Sequence, residues 1–273
     1  MRKLQQTDLA RLLPPILELA GKAGAAILTH YGPEIEVRRK TDASPVTAAD
    51  EQAEEIILAG LRALAPDIPA ISEEAFARGE LSSHAPERFW LVDPLDGTKE
   101  FLKRNGEFTV NIALIDAGRP ILGVVAAPAL SLAYAGAGPG SARLWRAGSE
   151  RPLAVRQPPA DGLTVVASRS HGDPQALDRY LQGRRVAATR EAGSSLKFCI
   201  VAAGEADLYP RFGRTMEWDT AAGHAVLNAA GGAVRTLQGE DLRYGKLGFE
   251  NPHFVASGEW LADRSSRSPA SFS

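Results

Sequence analysis

The sequence predicts a mixed α/β protein built in two lobes. Three observations carry this. Helical-period and strand-like apolar patterns are interleaved along the chain. Between residues 108 and 146 the strands follow one another through short turns, which fits a largely antiparallel sheet better than repeated βαβ units. Residues 151–162, rich in Pro and Gly, then mark a boundary, after which residues 163–167 open a new buried strand.

A helix is expected over residues 12–31, where Ile16, Ala20, Ala23, Ile27 and Leu28 recur at helical spacing. Pro14 and Pro15 then belong in its first turn, and Gly32-Pro33 ends it. Residues 34–39 read as a strand and residues 40–45 as a loop. Thr47 opens a second helix, with Asp50 as the acid of a capping box and Ile56, Ile57, Leu61 and Leu64 on its apolar face. Residues 68–72 form a short strand that runs into Glu73-Glu74. Residues 89–92 form another, ending at Asp93, and two such strands side by side would bring Glu73 to Asp93.

Further strands are expected over 108–115, 121–127, 131–135, 144–146 and 163–167. Beyond them come a helix at 177–181, a helix opened by residues 193–197, a strand at 207–210 and a helix over 220–230 closed by Gly231-Gly232. Asp219 suits an N-cap for that last helix, and His224 inside it reads as structural. The small residues Ala221, Ala222, Gly223 and Ala225 allow a close approach near its start.

At 273 residues the chain can bury a large core. A formal charge of −2 gives no footprint for nucleic acid. Cys199, the single cysteine, excludes an internal disulfide and fits a reducing compartment. Its apolar neighbours Phe198, Ile200 and Val201 make it a packed thiol rather than a nucleophile. No signal peptide is evident, and no stretch is expected to supply the roughly 20 apolar residues of a transmembrane segment.

The chemistry concentrates at Asp93-Pro94-Leu95-Asp96-Gly97-Thr98. Pro94 and Gly97 turn the chain at the end of a rigid strand and hold two carboxylates close together. Such a pair repels unless a proton or a cation lies between them. Oxygen donors without Cys or His nearby favour Mg²⁺. A helix beginning at Gly97 and Thr98 could hold a phosphate on its amides. Ser194 and Ser195 at a helix start, with Lys197 one turn in, also describe a phosphate site. Each residue also has an ordinary role as a cap or a surface charge.

Taken together, Trp90-Leu91-Val92-Asp93-Pro94-Leu95-Asp96-Gly97-Thr98 and Trp218-Asp219-Thr220-Ala221-Ala222-Gly223, with Asp50 and Glu73 upstream, resemble the inositol monophosphatase-like superfamily of Mg²⁺-dependent, lithium-sensitive phosphatases. Residues 44–50, 96–101, 103–111 and 193–199 are most similar to its CysQ branch, the 3'(2'),5'-bisphosphate nucleotidases. Lys99-Glu100 stands where an inositol phosphatase more typically has Thr-Asn.

The resemblance implies a layered α/β sandwich of the sugar-phosphatase type. Its N-terminal α+β lobe would span 1–155 and its C-terminal α/β lobe 156–265, with the site between them and a frayed tail over 266–273. It implies two or three Mg²⁺ ions. Glu73, Asp93 and the Leu95 carbonyl would hold the first, and Asp93, Asp96 and Asp219 the second. Thr98, supported by Asp50, would orient the attacking water, with Glu73 also serving catalysis. The Gly97 and Thr98 amides would receive the phosphate under attack. His171, Ser194, Lys197 and Arg211 would hold the other phosphate. The implied substrate is adenosine 3',5'-bisphosphate, giving AMP and phosphate in the nucleotide recycling of sulfate assimilation. The implied location is cytoplasmic, including peripheral attachment to the inner membrane. An inositol or sugar phosphatase sharing the metal site, and a non-catalytic metal or nucleotide sensor, are the alternatives. The oligomeric state is not readable.

Overall fold

The computed structural model describes residues 4–32, 37–39, 45–80, 85–168, 173–259 and 261. In chain order it contains α1 (Gln6–Thr29), β1 (Val37–Arg39), β2 (Pro45–Thr47), α2 (Ala48–Leu64), β3 (Ala70–Ser72), α3 (Glu73–Ala77), β4 (Arg88–Asp96), α4 (Thr98–Lys103), β5 (Thr109–Asp116), β6 (Arg119–Ala127) and β7 (Leu132–Gly136). There follow β8 (Arg143–Arg146), β9 (Ser149–Pro152), β10 (Leu163–Ser168), α5 (Pro174–Leu181), β11 (Val186–Ala192), α6 (Leu196–Ala202), β12 (Leu208–Arg211), α7 (Ala221–Ala229), β13 (Gly232–Thr236) and β14 (Phe254–Gly258).

A seven-stranded sheet runs β3-β4-β5-β6-β7-β8-β9, antiparallel except for the β3/β4 pair. A five-stranded mixed sheet runs β11-β10-β12-β14-β13. Strand alternation sorts the apolar side chains onto two faces. Trp90, Val92, Val110, Ile112 and Leu114 enter one core with Ile16, Ala23 and Ile27 of α1 and Ala53, Ile57 and Leu61 of α2. Phe89, Leu91, Ala113 and Ile115 enter the other, with α6, α7 and the inner face of the five-stranded sheet. Leu177, Tyr180 and Leu181 of α5 cover that sheet's far side over Leu163, Val165 and Leu208. The layers therefore run helix, sheet, helix, sheet, helix.

The α6/α7 layer is pressed between two sheets, and small residues make the space. A Cβ on Gly136 would lie 2.5 Å from the Ala229 Cβ, and one on Gly123 would lie 2.7 Å from the Ala225 Cβ. The close approach expected near the start of α7 is thus the central sheet itself. Gly123→Val should cost about 1–3 kcal/mol by forcing α7 off the sheet; the midpoint of urea unfolding at unchanged m-value measures it.

Several expectations are corrected. α1 begins at Gln6, where the Gln5 amide donates to Asp8 Oδ2 at 2.9 Å, so Pro14 and Pro15 lie inside the helix rather than in its first turn. By length and composition α1 could cross a membrane, against the expectation that no stretch would qualify. Ile16, Ala20, Ala23 and Ile27 are nevertheless fully buried in the core, whereas Leu28, expected in the same apolar pattern, is exposed. The N-cap of α7 is Thr220, not Asp219. The short α3 and the strands β2, β9 and β11 were not expected. β11 is exposed over most of its length, so it lacks the apolar alternation that marks a strand.

Candidate active site

The parallel pairing of β3 with β4 sets Ser72 beside Val92. Glu73 and Asp93, each one residue further on, are therefore neighbours at the same ends of adjacent strands. Register is lost between Asp93 and Asp96, where Pro94 interrupts the ladder with β5. Gly97 then takes φ 90° and ψ 45°, a left-handed conformation that turns the chain into α4 and that a side chain would strain. Asp219 arrives in the turn before α7, with Oδ2 accepting from the Met216 amide at 2.8 Å. Carboxylate oxygens of Glu73, Asp93 and Asp219 all lie within 4.8 Å of one another. Asp96 lines the same cavity beside that cluster.

The cavity has a volume of about 530 Å³ and opens between the two sheets. Glu73, Asp93, Leu95, Asp96, Gly97 and Thr98 line it from the segment between β3 and α4; Ser194, Lys197, Arg211 and Asp219 line it from the segments around α6, β12 and α7. Burial raises the Asp219 carboxyl well above the usual range, and the nearby Asp96 and Glu73 charges raise it further. Burial likewise raises Asp96, against the pull of Lys197 and the hydrogen bonds from Ser195. Acids gathered this way cannot all ionise without compensating positive charge. Hard oxygen donors at this spacing fit a divalent cation. The hydrogen bonds Asp96 accepts from Thr109, Asn111 and Ser195 fall on Oδ2, which leaves Oδ1 for that purpose.

Of the residues expected at a second anion site, Ser194, Lys197 and Arg211 line the same cavity, and His171 lies outside the described residues. Ser194 adopts φ 42°, and its buried Oγ has no hydrogen-bond partner among the described residues. Such an orphan beside a cavity suits a ligand oxygen. The Lys197 ammonium donates to the Ser194 carbonyl at 2.6 Å and lies 5.5 Å from the Tyr209 ring centroid. Burial lowers its pKa to about 8, helped by the Arg211 charge and opposed by Asp96. Arg211 is held at the end of β12, where Nη2 donates to the Arg214 carbonyl at 3.0 Å. Asp50 is taken up as the capping acid: its Oδ2 accepts from the Thr47 amide at 2.8 Å and from the Thr47 hydroxyl at 2.6 Å.

Sequence reasoning missed the residues that hold these groups in place. Ser195 ties Asp96 to Asp219: its amide donates to Asp96 Oδ2 at 2.7 Å, and its Oγ lies 2.8 Å from the Asp219 carbonyl and 3.1 Å from Asp96 Oδ2. Asn111 Nδ2 donates to the same Oγ at 2.8 Å. A hydroxyl has one proton, so one of those two acceptors receives it. Buried Glu54 accepts from the Ser72 hydroxyl at 2.6 Å and the Ala75 amide at 3.0 Å, gripping the chain on both sides of Glu73. Only the adjacency of Ser195 to Ser194 hinted at any of this. Ser195→Ala should cost about 1–3 kcal/mol, because it strands the buried Asn111 amide; urea unfolding of the variant checks it.

A hard-oxygen cluster facing buried cations across one cleft fits an enzyme that works on phosphate esters with divalent cations. The chain belongs to the inositol monophosphatase family, which residues 8–268 match. It is 51% identical over 253 residues to the Escherichia coli K12 protein named 3'(2'),5'-bisphosphate nucleotidase CysQ, covering 90% of this chain and 99% of that one. The Aggregatibacter actinomycetemcomitans protein of the same name is 35% identical over 246 residues, covering 89% and 91%. Among solved structures, CysQ of Bacteroides thetaiotaomicron, described as a bacterial member of this family, superimposes with a TM-score of 0.76 at 36% identity, covering 93% and 98%.

Proposed function

We infer that this chain is a 3'(2'),5'-bisphosphate nucleotidase that removes the 3'-phosphate of adenosine 3',5'-bisphosphate to leave AMP, recycling the nucleotide product of sulfate assimilation. The observation that carries this reading is the single cavity with a carboxylate cluster at one wall and Ser194, Lys197 and Arg211 at another. A monophosphate needs only the first; a bisphosphate uses both. The names of relatives half identical over nearly the whole chain support it.

Glu73, Asp93 and the Leu95 carbonyl would hold one Mg²⁺ and Asp93, Asp96 and Asp219 a second, with room for a third beside Glu73. Bound there, the ions would neutralise phosphate charge and bring the pKa of water toward neutrality. Thr98, at the first turn of α4, orients the attacking water, and the reading assigns Asp50 as its brace. The Gly97 and Thr98 amides receive phosphate oxygens at that helix start. Lys197, Arg211 and Ser194, with His171, fix the 5'-phosphate and so present the 3'-phosphate to the acids. The functional division falls between lobes 1–155 and 156–265; the end of β9 at Pro152 and the start of β10 at Leu163 support it. A cytoplasmic site of action agrees with the buried free thiol of Cys199.

Phosphate release with Mg²⁺, compared across adenosine 3',5'-bisphosphate, inositol 1-phosphate and fructose 1,6-bisphosphate, tests this directly. The adenosine bisphosphate should be turned over with kcat/KM at least about 100-fold higher, the worth of one or two charge-assisted hydrogen bonds. Preference for either of the others would refute the assignment.

A further inference from the structure

Asp219 sits in a tight turn that a neighbouring loop holds from outside the cavity. Within the turn, the Asp219 amide donates to the Met216 carbonyl at 3.2 Å while Asp219 Oδ2 accepts from the Met216 amide, so residue 216 aims the carboxylate. Residues 215–217 are in turn bonded to residues 245–251. The Glu217 amide donates to the Phe249 carbonyl at 2.8 Å and the Asn251 amide to the Thr215 carbonyl at 3.0 Å. Asn251 Nδ2 donates to the Met216 carbonyl at 2.8 Å. Gly245, Lys246, Phe249 and Asn251 all stand outside the cavity lining.

At the centre of this joint is an ion pair. Glu217 is wholly buried, yet it neither lines the cavity nor joins the acid cluster. Its Oε2 accepts from the Gly245 amide at 2.6 Å, and its Oε1 accepts from the Lys246 amide at 2.9 Å and the Lys246 ammonium at 2.6 Å. A buried carboxylate is costly unless donors and a cation offset it, and here they do. Lys246 Nζ gives its other two protons to the Arg243 carbonyl at 2.6 Å and to Asn251 Oδ1 at 3.1 Å, so all three are committed. The bond to Asn251 Oδ1 also decides which end of that amide donates, and thereby puts Nδ2 on Met216.

The same loop reaches a second acid. Phe249 is wholly buried and takes φ 58°, a conformation its surroundings must enforce. Its ring centroid lies 5.4 Å from that of Phe76 and 6.0 Å from that of Trp218, and Phe76 and Trp218 are 5.3 Å apart. Phe76 follows Glu73 by one turn of α3, and Trp218 immediately precedes Asp219. The Tyr244 amide ties the loop to the large sheet, donating to the Gly118 carbonyl between β5 and β6 at 3.1 Å. Oxygen ligands must converge to within about 2–2.5 Å of a divalent ion, so a slack mount for Asp219 degrades the whole site.

We propose that Glu217, Lys246 and Asn251 are positioning residues for the divalent-cation site: they touch no cation, and they set its affinity by fixing Asp219 through residues 215–217. This rests on the reading of the acids as a cation site. Mn²⁺ is the probe, titrated by electron paramagnetic resonance into the full chain well below its melting temperature. Lys246→Met should weaken binding about tenfold, the usual effect of removing a partner that orients a metal ligand. Glu217→Gln, nearly isosteric and the gentler change to the fold, should weaken it several-fold. Arg156→Met is the control. It breaks an ion pair of similar burial, Arg156 with Asp207, at the opposite end of β12 from Arg211. It should lower the unfolding midpoint as Lys246→Met does, yet leave Mn²⁺ affinity unchanged. Lys246→Met should also need about tenfold more Mg²⁺ for half-maximal turnover, with KM for adenosine 3',5'-bisphosphate unmoved once Mg²⁺ saturates. Equal Mn²⁺ affinity in the wild type, Lys246→Met and Glu217→Gln overturns the proposal, and so does equal weakening in Arg156→Met. A wild type that binds no Mn²⁺ overturns the reading of the acids, and the proposal with it.

Discussion

Asp93→Asn is expected to lower kcat by about a thousandfold or more while the protein stays folded. Asp93 is almost wholly buried, and its carboxylate belongs to the cluster with Glu73 and Asp219. Removal of a single charge-stabilising group from a dry site costs about 100- to 1,000-fold, and the two-ion reading proposed above, in which Asp93 would serve both ions, expects a larger loss. The change is nearly isosteric, and Asp93 Oδ1, which accepts from the Leu95 amide at 3.0 Å, can be replaced by the Asn carbonyl. Circular dichroism and thermal melting should therefore match the wild type without divalent ions.

Divalent ions should separate the two proteins. The Asp219 carboxyl titrates well above its ordinary 3.8 in the folded chain, so that chain holds more protons than the unfolded one across the interval. The Asp219 contribution to the stability of the metal-free protein should consequently fall as pH rises from about 4 through its folded-state pKa, while buried His224, its pKa lowered to about 3 by burial, contributes in the opposite sense up to its ordinary 6.5. Mg²⁺ should remove that loss and raise Tm in the wild type, and do neither in Asp93→Asn. Melting curves from pH 4 to 8, with and without Mg²⁺, for the wild type and Asp219→Asn check it; a metal-free difference between the two that does not change with pH would contradict the geometry of the acids.

The second large effect falls on the other wall. Lys197→Ala and Arg211→Ala should each raise KM for adenosine 3',5'-bisphosphate by about 10- to 100-fold, the worth of a hydrogen bond to a charged group. Turnover of 3'-AMP, which has no 5'-phosphate to hold, should change far less. The Lys197 ammonium, lowered to about 8 by burial, also sets a pH limit: as pH rises past 8 its charge is lost and KM for the bisphosphate should rise. Equal KM values in both variants would detach these residues from the substrate.

The acids were legible because strand ends are rigid. Once residues 68–72 and 89–92 read as strands, a parallel pairing was enough to put Glu73 beside Asp93, and β3 and β4 pair in that way. The alternating run 108–115 likewise matched β5, with Val110, Ile112 and Leu114 sharing one core. What could not be read was contact at long range. Ser195 and Asn111 are ordinary polar residues by sequence, and their bond spans 84 positions. The role of Asp219 was half legible: its place before a helix suggested a cap, but Thr220 fills that position, and Asp219 is left facing the acids. Pro14 and Pro15 misled because proline is costly inside a helix, yet twenty-four residues packed on α2 and the sheet outweigh two missing backbone bonds.

The identity of the nucleotide product tests the central claim most directly. Phosphorus NMR of adenosine 3',5'-bisphosphate treated with the Mg²⁺-loaded protein should show inorganic phosphate and 5'-AMP alone, with no turnover in chelator. Release of 3'-AMP would place the 5'-phosphate against the acids instead, and turnover that persists in chelator would mean that the carboxylate cluster holds no ion the reaction needs.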